Sequence, residues 1–243
     1  MNEPIKEAAQ LLKKSRKAIA FTGAGVSTES GIPDFRSKGG LWSRFDPMEY
    51  GTISAFRANP AKVWQMLAEL ISISSARPNS GHLAMAKLEE KKILKGIITQ
   101  NIDMLHQKGG SNKVVEFHGS IASLSCLDCG NQCSLSALQG KAIPPACDHC
   151  GSLLKPDVVF FDEQIPSSAI DQSRELLRGA DCLLVVGTSC RVMPASFFPS
   201  QVQAQGGKII ELNLQPNLGR LANVVLKGNF SQIMNQLLKE IEL

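Results

Sequence analysis

Short apolar runs alternate with segments of helical periodicity along this chain. The apolar runs predict strands at residues 18–21, 93–99, 114–117, 158–161, 182–186 and 209–212. Apolar positions three and four residues apart predict helices at residues 1–14, 61–72, 82–91 and 229–241. Strands that alternate with helices favour a mostly parallel sheet with helices on both faces, because the strands of such a sheet are buried on both sides.

One stretch, residues 121–155, breaks this alternation. It contains two pairs of cysteines, several turn-forming residues and little sustained periodicity. We therefore expect a small module inserted into the larger α/β unit.

The cysteine spacing in this module is that of a zinc ribbon. The two CxxC pairs are Cys126 with Cys129 and Cys147 with Cys150, and 17 residues lie between the pairs. Four thiolates in two such turns close a tetrahedral structural site, which does not need the nearby Cys133 or His149. Two disulfides or buried free thiols are the alternative interpretation, which the lack of a secretory signal disfavours.

Composition and charge narrow the range of functions. The chain is 43% hydrophobic and 20% charged, as soluble globular proteins are. No apolar run is long enough to span a bilayer and no signal-peptide core is present, so we expect a cytoplasmic protein without a membrane partner. The net charge of +4 is small, and residues 121–155 contain two acidic residues, two basic residues and no Phe, Trp or Tyr. We therefore expect no nucleic-acid partner.

A glycine turn follows the first predicted strand. Gly23 and Gly25 would let backbone N–H groups approach a pyrophosphate at a helix N-terminus. Thr28 stands where a dinucleotide fingerprint has its third glycine. The turn alone therefore does not distinguish a phosphate site from a tight turn without a ligand.

The turn begins a series of motifs that closely resembles the sirtuin family. The matching segments are GAGVSTESGIPDFRS at 23–37, GLW at 40–42, TQNID at 99–103 followed by Leu105 and His106, EFHGS at 116–120, the four cysteines, and GTS at 187–189 followed by Val192, Pro194 and Ala195. They occur in the family's order, from the first strand to the last helix. Several independent motifs that agree make the resemblance specific.

This resemblance implies a Rossmann-like, doubly wound α/β fold with a small inserted zinc-ribbon domain. The Rossmann-like domain would comprise residues 1–35, 78–120 and 156–243. Residues 36–77 would form the cofactor loop and the helical part of the small domain, and residues 121–155 the zinc-binding module. NAD and acyl-lysine would meet in the cleft between the domains.

The residues that bind NAD, the family's co-substrate, are also implied by the resemblance. They are Gly23, Ala24, Gly25, Thr28, Phe35, Arg36, Gln100, Asn101, Ile102, Asp103, Gly187, Thr188, Ser189, Asn213, Leu214 and Phe230. From the residues alone, Asn101 and Asp103 could instead cap the short helix that follows them, and Ser189 could be an ordinary loop hydroxyl.

His118 is the predicted acid–base residue. An imidazole titrates near neutrality and can remove a ribose hydroxyl proton without a large pKa shift. A single histidine after a strand is more often structural, so it is the 116–120 motif that favours catalysis, with Asn101 as the second catalytic residue. The implied reaction converts a protein acyl-lysine and NAD to lysine, nicotinamide and O-acyl-ADP-ribose, and zinc has a structural role only.

The resemblance implies that the substrate peptide binds as an added strand between residues 158–163 and 190–194. Its predicted contacts are Val159, Phe160, Phe161 and Val192. Asp162 departs from the family, which usually has glycine there. Aspartate adopts the backbone angles of glycine less freely, and it adds a negative charge beside the peptide.

Neutral acyl groups are the predicted substrates. Sirtuins that prefer acidic acyl groups such as succinyl carry a tyrosine and an arginine where this chain has Leu67 and Leu70. A carboxylate buried against two leucines would have no charged partner. We therefore expect acetyl to be preferred, with longer neutral chains in the same slot.

Two other functions stay open at this point. An ADP-ribosyltransferase would use the same NAD site, and transfer of label from NAD to protein would reveal it. A non-catalytic NAD or ADP-ribose sensor would be expected to lack His118, Asn101 or Asp103, and all three are present. The oligomeric state is left open, and the sequence is compatible with a monomer.

Overall fold

In the computed structural model, which describes residues 3–72 and 75–243, strands and helices alternate along most of the chain. The strands are β1 (Ala18–Thr22), β2 (Leu94–Thr99), β3 (Val114–Glu116), β4 (Gly119–Cys126), β5 (Gln132–Ser134), β6 (Leu154–Val158), β7 (Cys182–Val186), β8 (Lys208–Asn213) and β9 (Val224–Lys227). The α-helices are α1 (Glu3–Lys14), α2 (Pro47–Tyr50), α3 (Ile53–Ala58), α4 (Pro60–Ser72), α5 (Ser80–Glu90), α6 (Leu105–Lys108), α7 (Ser167–Leu177), α8 (Phe198–Ala204) and α9 (Phe230–Glu242).

The larger sheet is parallel, as the apolar pattern predicts. Its strand order is β3-β2-β1-β7-β8-β9. The order reverses between β1 and β7, whose last residues Thr22 and Val186 lie side by side. In open sheets of this kind, ligands bind beyond the carboxyl ends of the strands at such a reversal point.

Both faces of this sheet are covered by helices, so the doubly wound α/β prediction is confirmed. Within β1, Ala18 and Ala20 pack into one apolar core with α1, α5 and α9, while Ile19 and Phe21 pack into a second core with α7 and α8. The alternation follows from the two-residue period of a strand, which directs successive side chains to opposite faces.

Helix α1 forms because its apolar residues share one face. Ile5, Ala8, Ala9 and Leu12 are buried, and Lys13 and Lys14 lie in the last turn, where cations interact favourably with the helix dipole. The predicted helix began at residue 1, but positions 1 and 2 lie outside the described residues. The rest of the prediction is confirmed.

A smaller antiparallel sheet with the strand order β5-β4-β6 builds a separate unit. It has its own apolar core, in which Phe56 of α3 and Trp64 of α4 pack with Leu124, Leu154 and Phe160. The sheet extends from Gly119 to Val158, slightly beyond residues 121–155 at both ends.

The predicted strand at residues 158–161 is wrong. The strand is β6, which ends at Val158 and belongs to the antiparallel sheet. Pro156 makes residues 154–158 an unpromising strand on sequence grounds, but an edge strand accepts proline because its outer N–H positions need no partner. Phe161 makes only an isolated bridge with Thr52.

No helix within residues 3–72 and 75–243 is long and apolar enough to cross a bilayer.

Candidate functional site

A cleft of about 1310 Å³ lies at the carboxyl ends of the parallel strands and continues between the two structural units. The loops after β1, β2, β7 and β8 line one wall. Helix α4 and the segment after β6 line the other wall. The cleft therefore lies where the strand order reverses, which is the position expected for a ligand site in this architecture.

The glycine turn after β1 is packed against the loop after β7. The N–H of Gly23 donates to the carbonyl of Val186 at 3.1 Å, and that of Gly25 to the carbonyl of Gly187 at 2.8 Å. A Cβ at position 25 would lie 2.8 Å from the Gly187 Cα, so only glycine permits this approach. Two 3₁₀ turns follow, not an α-helix. The N–H groups of Gly23 and Gly25 are thus used in packing the two loops, and the helix expected after the turn is 3₁₀ in form.

A network of buried polar side chains fixes the loop after β2. The amide of Asn101 donates to the Gly23 carbonyl at 3.2 Å and to the Ser27 hydroxyl at 3.1 Å. Ser27 in turn donates to Asp103 Oδ2 at 2.6 Å, and Asp103 Oδ1 accepts from the Leu105 N–H at 2.9 Å. Asp103 thus satisfies the N–H of the first residue of α6 with one oxygen, while the Asn101 side chain makes no such contact.

The loops after β2, β7 and β8 are joined through Thr188. Its hydroxyl accepts from the Gln100 amide at 2.7 Å and from the Cys190 N–H at 3.1 Å, and its carbonyl accepts from the Asn213 amide at 3.0 Å. Three loops of the cleft wall therefore hold one another in place.

His118 lines the cleft from the turn between β3 and β4. Its Nδ1 lies 3.3 Å from the Gln100 carbonyl oxygen, which can only accept a hydrogen bond. The proton therefore belongs on Nδ1, and Nε2 is the free basic nitrogen. Burial lowers the pKa of His118, and the hydrogen bond to the Gln100 carbonyl partly opposes this shift. The residue is thus a neutral base near pH 7.

Part of the wall opposite the strands forms an apolar slot. Met66, Leu67 and Leu70 of α4 face the cleft, together with Val158 and Phe160. Leu67 is buried, and Tyr50, the single tyrosine of the chain, is absent from the lining. This slot offers dispersion contacts but no cation to an entering group.

The four cysteines of the CxxC pairs lie together, and their sulfur atoms are all within 4.8 Å of one another. The Sγ atoms of Cys126 and Cys150 are 3.4 Å apart, and those of Cys129 and Cys147 are 3.8 Å apart. A disulfide would bring a pair to about 2.05 Å, so the alternative of two disulfides is not the arrangement seen. The two CxxC segments form matching turns. In the first the Gly130 N–H donates to the Cys126 carbonyl, and in the second the Gly151 N–H donates to the Cys147 carbonyl.

Comparison with known proteins decides the family. The model of the Sir2 family matches residues 23–194. The NAD-dependent protein deacylase 2 of Pyrobaculum aerophilum is 43% identical, over 96% of this chain and 94% of that protein. The NAD-dependent protein deacylase of Thermococcus kodakarensis is 42% identical, over 97% of this chain and 95% of that protein. The chain belongs to the Sir2 family.

Solved structures of Sir2 proteins share the whole fold. A Sir2 homolog in complex with NAD superposes with a TM-score of 0.92 at 39% identity, covering 98% of this chain and 93% of that chain. A Sir2 protein solved with a deacetylated p53 peptide and 3′-O-acetyl-ADP-ribose has a TM-score of 0.90 at 33% identity, covering 97% and 98% of the two chains.

Most residues that the Sir2 motifs predict for the site line the cleft. They are Gly23, Ala24, Gly25, Thr28, Phe35, Arg36, Gln100, Asn101, Ile102, His118, Val159, Phe160, Phe161, Gly187, Thr188, Ser189, Val192, Asn213 and Leu214. Asp103 lines a small cavity that adjoins the cleft at Asn101. Phe230 does not line the cleft; its ring is buried in the core, 5.3 Å from that of His82.

Sequence reasoning gave no role to Ser27, although it stands inside the Sir2 loop. Ser27 is fully buried and joins Asn101 to Asp103. A loop serine between Val26 and Thr28 has no local sequence pattern that would mark it as part of a site. Its partners are more than seventy residues away in the chain, so only the fold brings them together.

Proposed function

We propose that this protein is an NAD-dependent protein-lysine deacylase, which converts an acyl-lysine and NAD to lysine, nicotinamide and O-acyl-ADP-ribose. The main support for this proposal is the position of His118, whose basic nitrogen is Nε2. His118 lines a cleft that has glycine loops on one wall and the apolar slot on the other. The names of the relatives from Pyrobaculum and Thermococcus support it. So does the Sir2 complex with a deacetylated peptide and acetyl-ADP-ribose.

NAD suits this cleft because hydrogen-bonding groups are fixed along its length. The loop of residues 23–28 and the Thr188 and Ser189 hydroxyls would hold the phosphates and riboses, and Asn213 the adenosine end. Asn101 and Asp103 would shape the nicotinamide pocket, where the small side cavity meets the cleft. When bound, NAD supplies a ribose carbon from which nicotinamide can leave.

The protein's own contribution is to orient the reactants and to move a proton. His118 would take the proton of a ribose hydroxyl at Nε2, while the Gln100 carbonyl holds the imidazole through Nδ1. Asn101 would keep its orientation through Gly23 and Ser27, so its amide does not need to be reordered at the moment of reaction.

We propose that the four cysteines bind one structural Zn²⁺. A Zn–S distance of about 2.3 Å in a tetrahedron gives sulfurs about 3.8 Å apart, close to the observed separations. The ion would join the β4 end to the hairpin before β6 and stiffen the small sheet. Four protein ligands leave no open position, and four reduced thiols favour a cytoplasmic location.

The acyl-lysine would enter the apolar slot from the side of residues 158–163 and 190–194. Val159, Phe160, Phe161 and Val192 would contact the peptide, whose main chain would pair as an added strand. Leu67 and Leu70 in the slot favour acetyl and longer neutral groups over succinyl, because the slot has no cation for a carboxylate.

The test is incubation of the purified protein with an acetyl-lysine peptide, with and without NAD, followed by mass spectrometry. We expect NAD-dependent formation of free lysine, nicotinamide and O-acetyl-ADP-ribose, and loss of these products in His118→Ala. Failure on acetyl, butyryl and longer acyl peptides, with ADP-ribose appearing on protein instead, would replace this function with ADP-ribosyl transfer.

A further inference from the structure

Asp162 occupies a backbone position that favours glycine. The Glu163 N–H donates to the Phe160 carbonyl at 3.2 Å, which closes a four-residue turn with Asp162 at its third position. Asp162 has a φ of +65°, whereas Phe161 is not among the residues with positive φ. This is the pattern of a type II turn, whose third residue is normally glycine. A non-glycine residue held at such a position, beside a cleft, points to a role for its side chain.

The charge of Asp162 is uncompensated, unlike that of its neighbour. Glu163 lies 3.0 Å from the Lys155 ammonium and accepts from the Phe160 N–H at 2.8 Å, so its charge is held inward. Asp162 is exposed and makes no hydrogen bond or ion pair within the described part of the chain. Its carboxylate is therefore available to a bound molecule.

The turn presents this carboxylate to the cleft. The Phe161 N–H donates to the Gly51 carbonyl at 2.8 Å, and its carbonyl accepts from the Ile53 N–H at 3.1 Å. The backbone of Phe161 is thus hydrogen-bonded to the chain at the start of α3. Asp162, the next residue, lines the cleft. Arg191 lines the cleft on the segment after β7 and is also exposed. The two segments therefore carry opposite charges.

We propose that Asp162 is a specificity-determining residue that favours substrates with a basic residue beside the acyl-lysine. The inference rests on the proposed deacylase function. A peptide strand between the two segments has one edge next to Asp162 and the other next to Arg191. The preference for a basic residue is accordingly confined to the flanking positions nearest Asp162, where an acidic residue is repelled.

The experiment measures kcat/KM for acetyl-lysine peptides that carry arginine, glutamine or glutamate at one flanking position at a time. At the position nearest Asp162 we expect the wild-type protein to prefer arginine over glutamate by about two- to fivefold, a range typical of exposed charge pairs. The ratio should shrink at high salt. Asp162→Asn is the matched variant, because asparagine keeps the size of the side chain and tolerates positive φ.

Asp162→Asn should bring the ratio close to one, and Asp162→Gly should do the same while raising the thermal midpoint of unfolding. Arg191→Gln should leave the preference at that position intact or strengthen it. An unchanged ratio in Asp162→Asn would overturn this inference alone, as would a ratio that falls only in Asp162→Gly, since the backbone would then be the cause. No turnover of any peptide by the wild-type protein would overturn the deacylase function, and this inference with it.

Discussion

The Nδ1 of His118 and the carbonyl oxygen of Gln100 are 3.3 Å apart, and this contact determines which imidazole nitrogen is free to act as a base. A carbonyl only accepts, so the proton stays on Nδ1 and Nε2 is left for the reaction. The same contact ties the base to the β2 loop that carries Asn101. The orientation of the base His118 and the position of Asn101 therefore depend on the same short loop after β2.

The rate of the reaction should depend on pH through His118. Burial lowers the pKa of His118, so the basic form should persist below the usual imidazole value of 6.5. The acidic limb of kcat/KM should therefore have its midpoint below pH 6.5. His118→Ala should reduce kcat/KM by about 10²–10⁴ and abolish that limb. Retention of the same limb by the variant would show that another group is titrating.

Gly25→Ala is expected to disrupt the packing of the glycine turn after β1 against the loop after β7. The added Cβ would lie 2.8 Å from both the Cα and the carbonyl oxygen of Gly187, and backbone cannot yield as a flexible side chain can. We expect a loss of about 1–3 kcal/mol in the free energy of unfolding, measured in urea, and a higher KM for NAD.

Gly31→Ala is the matched control for Gly25→Ala. Gly31 has a φ of +87° but no atom near its Cβ position, so the substitution should cost only about 1 kcal/mol of strain and leave the KM for NAD unchanged. Equal effects of both substitutions on KM would argue against close packing of the two loops as the reason for glycine at position 25.

The sequence predicted the larger sheet better than the smaller one, for a physical reason. β7 lies at residues 182–186 as predicted, because a strand buried on both faces reads as an unbroken apolar run. β6 carries Lys155 and Pro156 and was misplaced at 158–161, since its pairing as an edge strand is set by β4, some thirty residues earlier. β9 was not predicted; it is short, and buried and exposed residues alternate in it.

The candidate site shows the same limit. Most of the site residues that the Sir2 motifs predicted line the cleft, because each loop carries its own local signature. The motifs did not reveal that Ser27 links Asn101 to Asp103, or that Asp162 lies exposed beside a paired Glu163. Such relationships depend on side chains from separate loops, or on a backbone angle that the sequence does not display.

Leu70→Arg should change the acyl preference. Leu70 lies in the lining of the apolar slot, and an arginine there would supply the cation that a succinyl carboxylate lacks. We expect the ratio of kcat/KM for succinyl-lysine over acetyl-lysine to rise about tenfold or more. Leu70→Met, which keeps the slot neutral, is the control and should leave the ratio near its wild-type value. An unchanged ratio in Leu70→Arg would place the acyl group elsewhere in the cleft.

Metal removal should act through stability. We expect one zinc per chain by elemental analysis, and a large fall in the thermal midpoint when a strong chelator removes it, because the small sheet would lose its bridge between the two CxxC turns. Exchange for Co²⁺ should restore the fold and leave kcat/KM within about twofold, since a four-thiolate site has no open position. A large change in kcat/KM with cobalt at an unchanged melting temperature would contradict the structural role.

Acid should destabilise the fold through two buried histidines. Desolvation lowers the pKa of His82 from 6.5 to about 4 and, together with the nearby His82, lowers that of His106 to about 3. Between those values and 6.5 the unfolded chain binds more protons than the folded one. The stability that the neutral imidazoles provide is therefore complete above about pH 6.5, and it is lost as the pH falls towards the folded-state values.

Urea unfolding between about pH 5 and 7 measures this loss. It should amount to several kcal/mol, because a tenfold change in a proton-binding constant between the folded and unfolded chains corresponds to about 1.4 kcal/mol. His106→Gln removes one titrating group, and its amide can still hydrogen-bond to the Thr22 hydroxyl, which lies 2.9 Å from His106 Nε2. The variant should therefore show a shallower slope of unfolding free energy against pH. A slope equal to that of the wild-type protein would mean that protonation of His106 does not contribute to the loss of stability in acid.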